Sequence, residues 1–290
     1  MSKGELKSMK HLPFSINSWI LGNISIEQIM QRAKSIGVSS VDISGEPEII
    51  DAEEVKFLLN KYNLTPVCIN GNFTEVSRAF NHCDPNLRSK AIKYGKGCID
   101  LASRIGISKV LVVPSQVFKT DYFSSMQEDW NNSVSALQEV SDYAMHHRIT
   151  IMLECVNKYE VSLVRTLDDG IKMAKDIGMA NVKIIADTFH MHLEEQDGIH
   201  NAIRAAGNHW IAHLHVGDNT REVPGKGCIN WREILLALRD IDYQGAISFE
   251  PLPYRLTPKQ ILNGELDPIE LDKDLSISLS YLTAIMRAIN

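Results

Sequence analysis

The sequence has no apolar run near the roughly 18 residues that a membrane-spanning helix requires. Its five cysteines, Cys68, Cys83, Cys98, Cys155 and Cys228, are odd in number and scattered, with no Cys-x-x-Cys pair. A disulfide framework or zinc knuckle is thereby disfavoured, and free thiols in a reducing compartment, the cytoplasm, are expected. Basic residues never cluster, and the net charge is −6. Phosphate affinity is carried by clustered Lys and Arg, so neither nucleic acid nor an anionic membrane is an expected partner. The first ten residues carry positive charge with no apolar stretch behind them, unlike a secretory signal. After the first strand candidate stands Ser18-Trp19-Ile20-Leu21-Gly22-Asn23, which lacks the Gly-x-Gly-x-x-Gly turn of an open dinucleotide-binding sheet.

What is present is a rhythm. Short β-branched runs alternate with helix-period segments along the whole chain. The strand candidates are Phe14–Trp19, Ser40–Ser44, Thr65–Asn70, Lys109–Pro114, Thr150–Glu154, Val182–Asp187, Ile211–His215 and Ala246–Glu250. Helix signals lie between them: Ser25 to Gln28 as a capping box, Asp84-Pro85 as a start, Gly37, Gly106, Gly178 and Gly207 as stops. A last helix is expected over about Asp272 to Ala288. Eight βα units averaging about 36 residues predict an α/β fold, a (β/α)8 TIM barrel, with residues 1–290 forming one domain.

In such a barrel, chemistry sits at the carboxyl ends of the strands. Four consecutive strands end in residues a hydrophobic core would not choose: Glu154, Asp187, His215 and Glu250, spaced by 33, 28 and 35 residues. One carboxylate at a strand end is commonly a cap or an ion-pair partner. Three carboxylates and an imidazole at one mouth repel each other and drive their pKa values upward unless a cation sits among them. Three oxygens and one nitrogen suit a divalent Mn2+, Mg2+ or Co2+ with open positions better than a closed structural zinc. His213, one layer deeper, reads as a satisfied core histidine; His190 is near enough to Asp187 to share its pocket, and His192 reads as peripheral.

The stretches Leu153-Glu154-Cys155-Val156-Asn157-Lys158-Tyr159-Glu160, Ala186-Asp187-Thr188-Phe189-His190-Met191, His213-Leu214-His215-Val216-Gly217, Pro224-Gly225-Lys226-Gly227 and Phe249-Glu250-Pro251 resemble those of the xylose isomerase-like superfamily. Within it they resemble the ketose 3-epimerases of the D-tagatose and D-psicose (allulose) type. The resemblance covers residues 150 to 255; upstream only the βα pattern carries it. It implies one divalent metal ion per subunit, Mn2+ first, held by Glu154, Asp187, His215 and Glu250. It makes Glu154 and Glu250 the acid/base pair, with Glu160, His190 and Arg221 binding the O1–O3 end of an open-chain ketose. The implied reaction inverts C3 by removing a proton from one face and returning one to the other, through a metal-stabilised enediolate. A homodimer or homotetramer is implied as well. The chain departs from the family pattern at Lys158, at Asp218 (usually Glu) and at His192 (commonly Asn).

Other readings start from the same residues. An aldose–ketose isomerase, or an enzyme epimerising a keto-glycoside or dehydrating an inosose, also begins with proton removal beside a carbonyl. A relative of endonuclease IV would need histidines after early strands, where Cys68-Ile69-Asn70-Gly71 and Val113-Pro114-Ser115-Gln116 have none. A non-catalytic sugar-binding barrel would not need the acid/base carboxylates. The polar, Pro-containing segment 253–272 reads as a lid, an interface arm or a surface loop.

Overall fold

Eight parallel strands close on one another in sequence order, the last pairing with the first. The computed structural model describes residues 12–289, and the first ten residues, expected not to be a secretory signal, lie outside them. The strands are β1 (Phe14–Asn17), β2 (Ser40–Gly45), β3 (Thr65–Gly71), β4 (Lys109–Val112), β5 (Thr150–Glu154), β6 (Val182–Asp187), β7 (Ile211–Val216) and β8 (Ile247–Phe249). The helices are α1 (Ile26–Ile36), α2 (Ala52–Tyr62), α3 (Pro85–Ile105), α4 (Met126–His146), α5 (Leu167–Ile177), α6 (Thr188–Glu194), α7 (Ile199–Trp210), α8 (Trp231–Asp240), α9 (Pro258–Leu262) and α10 (Pro268–Ile289). The (β/α)8 expectation therefore holds.

Local chemistry sets the helix ends. Ser25 and Gln28 form a reciprocal capping box on α1, and Gly37 closes that helix in the left-handed region at φ 97°. Asp84 caps α3 with Pro85 in its first turn, and Gly106 ends it the same way. Most strands end within two residues of expectation, and three boundaries differ for a local reason. The first strand stops at Asn17, because Ser18–Leu21 turn into a short 3-10 helix. Gly207 interrupts the helix as a stop would, non-helical at φ 71° and ψ 171°, but a further turn beyond it carries α7 on to Trp210. The final helix begins at Pro268, four residues early, where Asp267 accepts the amides of Ile269 and Glu270.

The core is the barrel wall against the inner faces of the helices. Ile16, Val41, Ile43, Ile69, Val110, Ile151, Leu153, Ile184, Leu214 and Phe249 are all fully buried. Apolar burial of about 25 cal/mol per Å2 over such a core fixes the strand register. That register sets the site: Asp187 lies opposite His215, and His215 opposite Ser248, in adjacent strands. Among the described residues no helix is long and apolar enough to cross a membrane. Cys68, Cys98 and Cys155 are buried thiols, whereas Cys83 and Cys228 are exposed.

Candidate active site and metal centre

At the carboxyl ends of β5 to β8 the four residues singled out from the sequence converge. Glu154, Asp187, His215 and Glu250 each offer one ligand atom, and these atoms all lie within 4.8 Å of one another. Glu154 and Asp187 are the last residues of β5 and β6, and His215 is the penultimate residue of β7. Glu250 stands one residue beyond β8, its amide still bonded to the Val216 carbonyl at 3.1 Å.

Asp187 is fixed by the helix it starts. Its Oδ1 accepts the amides of Phe189 at 2.7 Å and His190 at 3.1 Å, so the carboxylate is the N-cap of α6. The Asp-Thr-Phe-His motif is thereby explained as a strand end, a cap, and a helix whose third residue returns to the site. Thr188 Oγ1 donates to the Gly217 carbonyl at 2.7 Å and accepts the Gly217 amide at 3.1 Å, tying α6 to the end of β7.

His215 is the hub. Its Nδ1 lies 2.9 Å from Glu154 Oε1 and 2.8 Å from Glu250 Oε2. A single ring nitrogen facing two carboxylate oxygens is one N–H short of satisfying both. A divalent ion bound by Nδ1 and the carboxylates meets all of them, so the donor set fits a hard or borderline cation. Glu250 has two further donors, Asn17 Nδ2 at 2.7 Å and Trp19 Nε1 at 2.6 Å, both on Oε1.

The electrostatics part from the expectation that all three carboxyls rise. Burial pushes Glu154 up, aided by the charge of Glu250. Burial and the same charge push Asp187 well above the carboxylate range. Burial acts in the same sense on Glu250, but His215, Trp19 and Arg221 outweigh it and hold its carboxyl at about 2. His215, despite burial, is held well above the usual histidine value by Glu250, Asp42 and Glu154.

Above these groups opens a cavity of about 800 Å3 lined by Glu154, Glu160, His190, Arg221 and Glu250, among others. Arg221 Nη1 donates to Glu160 Oε1 at 2.7 Å, and its guanidinium lies 4.8 Å from the Phe189 ring centroid. Asn157 sits between Glu160 and His190. Its Oδ1 accepts the Tyr159 amide, which turns Nδ2 toward Glu160 Oε1 at 3.1 Å and His190 Nδ1 at 2.7 Å. His190 Nδ1 is therefore an acceptor, and the ring proton is on Nε2. Burial and the nearby Arg221 charge hold His190 well below the usual range, hence neutral.

The loop after β7 is organised by Asp218, which is fully buried. Its Oδ1 accepts the amides of Asn219 at 2.9 Å and Ile229 at 3.1 Å; its Oδ2 accepts the Gly225 amide and Trp231 Nε1, both at 2.9 Å. A Cβ on Gly227 would collide with the Asp218 carboxylate, which is why the Pro-Gly-x-Gly turn needs its second glycine. Asp218 thus holds the loop that carries Arg221. His192 faces a separate small cleft with Glu195 and His200. His213 is buried in the core as expected, but only half satisfied: Nε2 pairs with Asp42, while Nδ1 has no partner among the described residues.

Four contributors were not singled out from the sequence: Asn17 and Trp19, which hold Glu250; Asn157; and Asp42, buried under His215. Burial alone would raise the Asp42 carboxyl, but the charge and hydrogen bond of His213 and the nearby His215 ring hold it well below the carboxylate range. Segment 253–272 carries α9, and Pro258, Lys259, Leu262 and Asn263 line the cavity.

The model of the xylose isomerase-like TIM barrel matches residues 30–269. The chain belongs to that family. Within it, a D-psicose 3-epimerase of Ruminiclostridium cellulolyticum is 30% identical over 228 residues, 77% of this chain and 76% of the relative. A D-psicose 3-epimerase of Agrobacterium fabrum is 36% identical over 160 residues, 53% of this chain and 55% of the relative. The sequence alignments thus span between about half and three quarters of these relatives. A crystal structure of D-psicose 3-epimerase with D-tagatose from Clostridium cellulolyticum H10 superposes with a TM-score of 0.83 at 25% identity, covering 95% of this chain and 99% of that one.

Proposed function

We propose that this chain is an isomerase-class enzyme that inverts C3 of a free ketose by proton removal and return. The observation that carries the reading is the placement of Glu154 and Glu250, whose oxygens flank one imidazole nitrogen at 2.9 and 2.8 Å and open onto one cavity. A proton beside a ketone is weakly acidic, so charge developing on the oxygen must be met by fixed positive charge. A divalent cation held by Glu154, Asp187, His215 and Glu250, with Mn2+ preferred over Mg2+ or Co2+, would supply that charge when bound.

The chain's own residues divide the remaining work. Two carboxylates on opposite sides of C3 take the proton from one face and deliver one to the other; a single base returns its proton to the face it left. Their environments differ in the sense such a pair needs, Glu154 raised and Glu250 lowered. Asn17 and Trp19 hold Glu250 Oε1, leaving Oε2 to face the site. Arg221, aligned by Glu160, and the neutral His190 present hydrogen-bond donors to the O1–O3 end of the sugar. The family resemblance also supports a homodimer or homotetramer, and the scattered free thiols support a cytoplasmic location.

The test is positional. The Mn2+-loaded protein is incubated with a panel of ketoses and aldoses in D2O and the label is located by NMR. Deuterium at C3 of a ketose is expected. Label confined to C1 or C2 would assign an aldose–ketose isomerase instead, and no exchange with any free sugar would overturn the free-ketose reading.

A further inference from the structure

Directly beneath the site lies a buried carboxylate that the proposed proton transfers do not use. Asp42 of β2 is fully buried, as are Ser15, His213 and His215 around it. Its Oδ1 accepts from Ser15 Oγ at 2.8 Å, and its Oδ2 lies 2.8 Å from His213 Nε2 and 3.7 Å from His215 Nε2. The two nitrogens of His215 therefore face opposite ways, Nδ1 toward Glu154 and Glu250 and Nε2 toward Asp42.

An isolated carboxylate in a barrel interior is costly and persists only where polar neighbours meet it. Ser15 and His213 account for one contact to each oxygen. Among the described residues His215 Nε2 is buried with no hydrogen-bond partner, and Asp42 Oδ2, at 3.7 Å, is the carboxylate oxygen it faces. An imidazole that gives Nδ1 to a cation carries its proton on Nε2, and an acceptor there fixes both the tautomer and the ring plane.

We propose that Asp42 is the positioning residue of the cation centre, accepting the Nε2 proton of His215 and so keeping Nδ1 free to bind the ion. The inference rests on reading Glu154, Asp187, His215 and Glu250 as a cation site. Ser15 orients the carboxylate from one side, and His213 anchors it from the other. The same three ligating residues, Asp42, His213 and His215, are close enough to hold an ion of their own. Against that, both Asp42 oxygens are already engaged by protein donors, so the group works as an acceptor.

The chelated, dialysed full-length protein is titrated with Mn2+, free ion being read by electron paramagnetic resonance and folding by circular dichroism. Wild type is expected to bind one ion per chain. Asp42→Asn keeps the side-chain shape, removes the charge, and is expected to weaken binding by about 10- to 100-fold, the usual effect of losing an outer acceptor. Ser15→Ala is expected to give a smaller loss in the same direction. A purely structural role would lower the unfolding midpoint of the chelated protein and leave the Kd of its folded fraction unchanged. Wild-type affinity in folded Asp42→Asn overturns the proposal, as do two ions per wild-type chain. If Asp42→Asn does not fold, wild-type affinity in Ser15→Ala overturns it. A wild-type chain that binds no Mn2+, Mg2+ or Co2+ overturns instead the cation-site reading on which this inference rests.

Discussion

Replacing Asp218 by Asn changes a buried side chain by one atom, yet the hydrogen bonds around it set a large effect. The carboxylate accepts four N–H groups, two on each oxygen. An amide keeps one acceptor oxygen and presents a donor where the other stood. Whichever way the amide turns, two of the four donors lose their partner. At about 1.5–3 kcal/mol for each hydrogen bond to a charged group, the expected loss is about 3–6 kcal/mol. At about 2 °C per kcal/mol for a chain of this size, the thermal midpoint falls by about 6–12 °C. The pH dependence has a definite sign. Burial would raise the Asp218 carboxyl, but Trp231 and the Gly225, Ile229 and Asn219 amides outweigh it and lower it from 3.8. Its stabilising contribution is therefore fully present above the unfolded-state value and lost as pH falls through the lower folded-state value. The gap between wild type and Asp218→Asn, measured by urea denaturation, should be constant from pH 5 to 7 and narrow below about pH 4. The variant's KM should rise more than its kcat falls, because the loop that presents Arg221 loosens while Glu154 and Glu250 stay in place. A loss below about 1 kcal/mol, or a gap that widens in acid, would refute the reasoning.

Glu154→Gln and Glu250→Gln should each lower deuterium incorporation at C3 by about 10^2- to 10^4-fold, the usual contribution of a positioned acid or base; exchange near the wild-type rate in either rules out the two-carboxylate scheme. Trp19→Phe removes the 2.6 Å indole donor to Glu250 and should lower kcat with little change in KM; a pure KM effect would place Trp19 on the substrate instead. Chelation should lower the thermal midpoint, since an ion at 100 times its Kd stabilises by about 2.7 kcal/mol. A midpoint unmoved by chelator and by added Mn2+ contradicts a bound cation.

Glu154, Asp187 and His215 were legible because a strand that reads as core and then ends in a charged residue breaks its own pattern. Glu250 was found the same way, although it lies just past its strand. Asp42 gave no such signal. It stands inside β2, flanked by buried Val41 and Ile43, and only barrel closure brings it to a strand 171 residues away. Asn17 and Trp19 were hidden for a related reason: the first strand reads as extended through Trp19, whereas a 3-10 turn swings the indole toward β8. The direction of the Glu250 shift was equally out of reach, since it depends on His215 of β7, on Trp19 in the 3-10 turn after β1 and on the charge of Arg221 in the loop after β7. Local pattern reveals which residues are unusual for their place, and tertiary closure decides which charge wins.

The two bonds that Asn17 and Trp19 make to Glu250 also stitch the barrel's seam, across sequence separations of 233 and 231 residues. During synthesis, β1 leaves the ribosome long before its partner exists. Glu250 can acquire its two donors only after the last strand has docked, so the chemical competence of the site and the closure of the sheet become a single event. A nascent chain ending short of β8 has eight of the ten described helices behind it and still lacks Glu250, so the second carboxylate and the strand that closes the barrel arrive together.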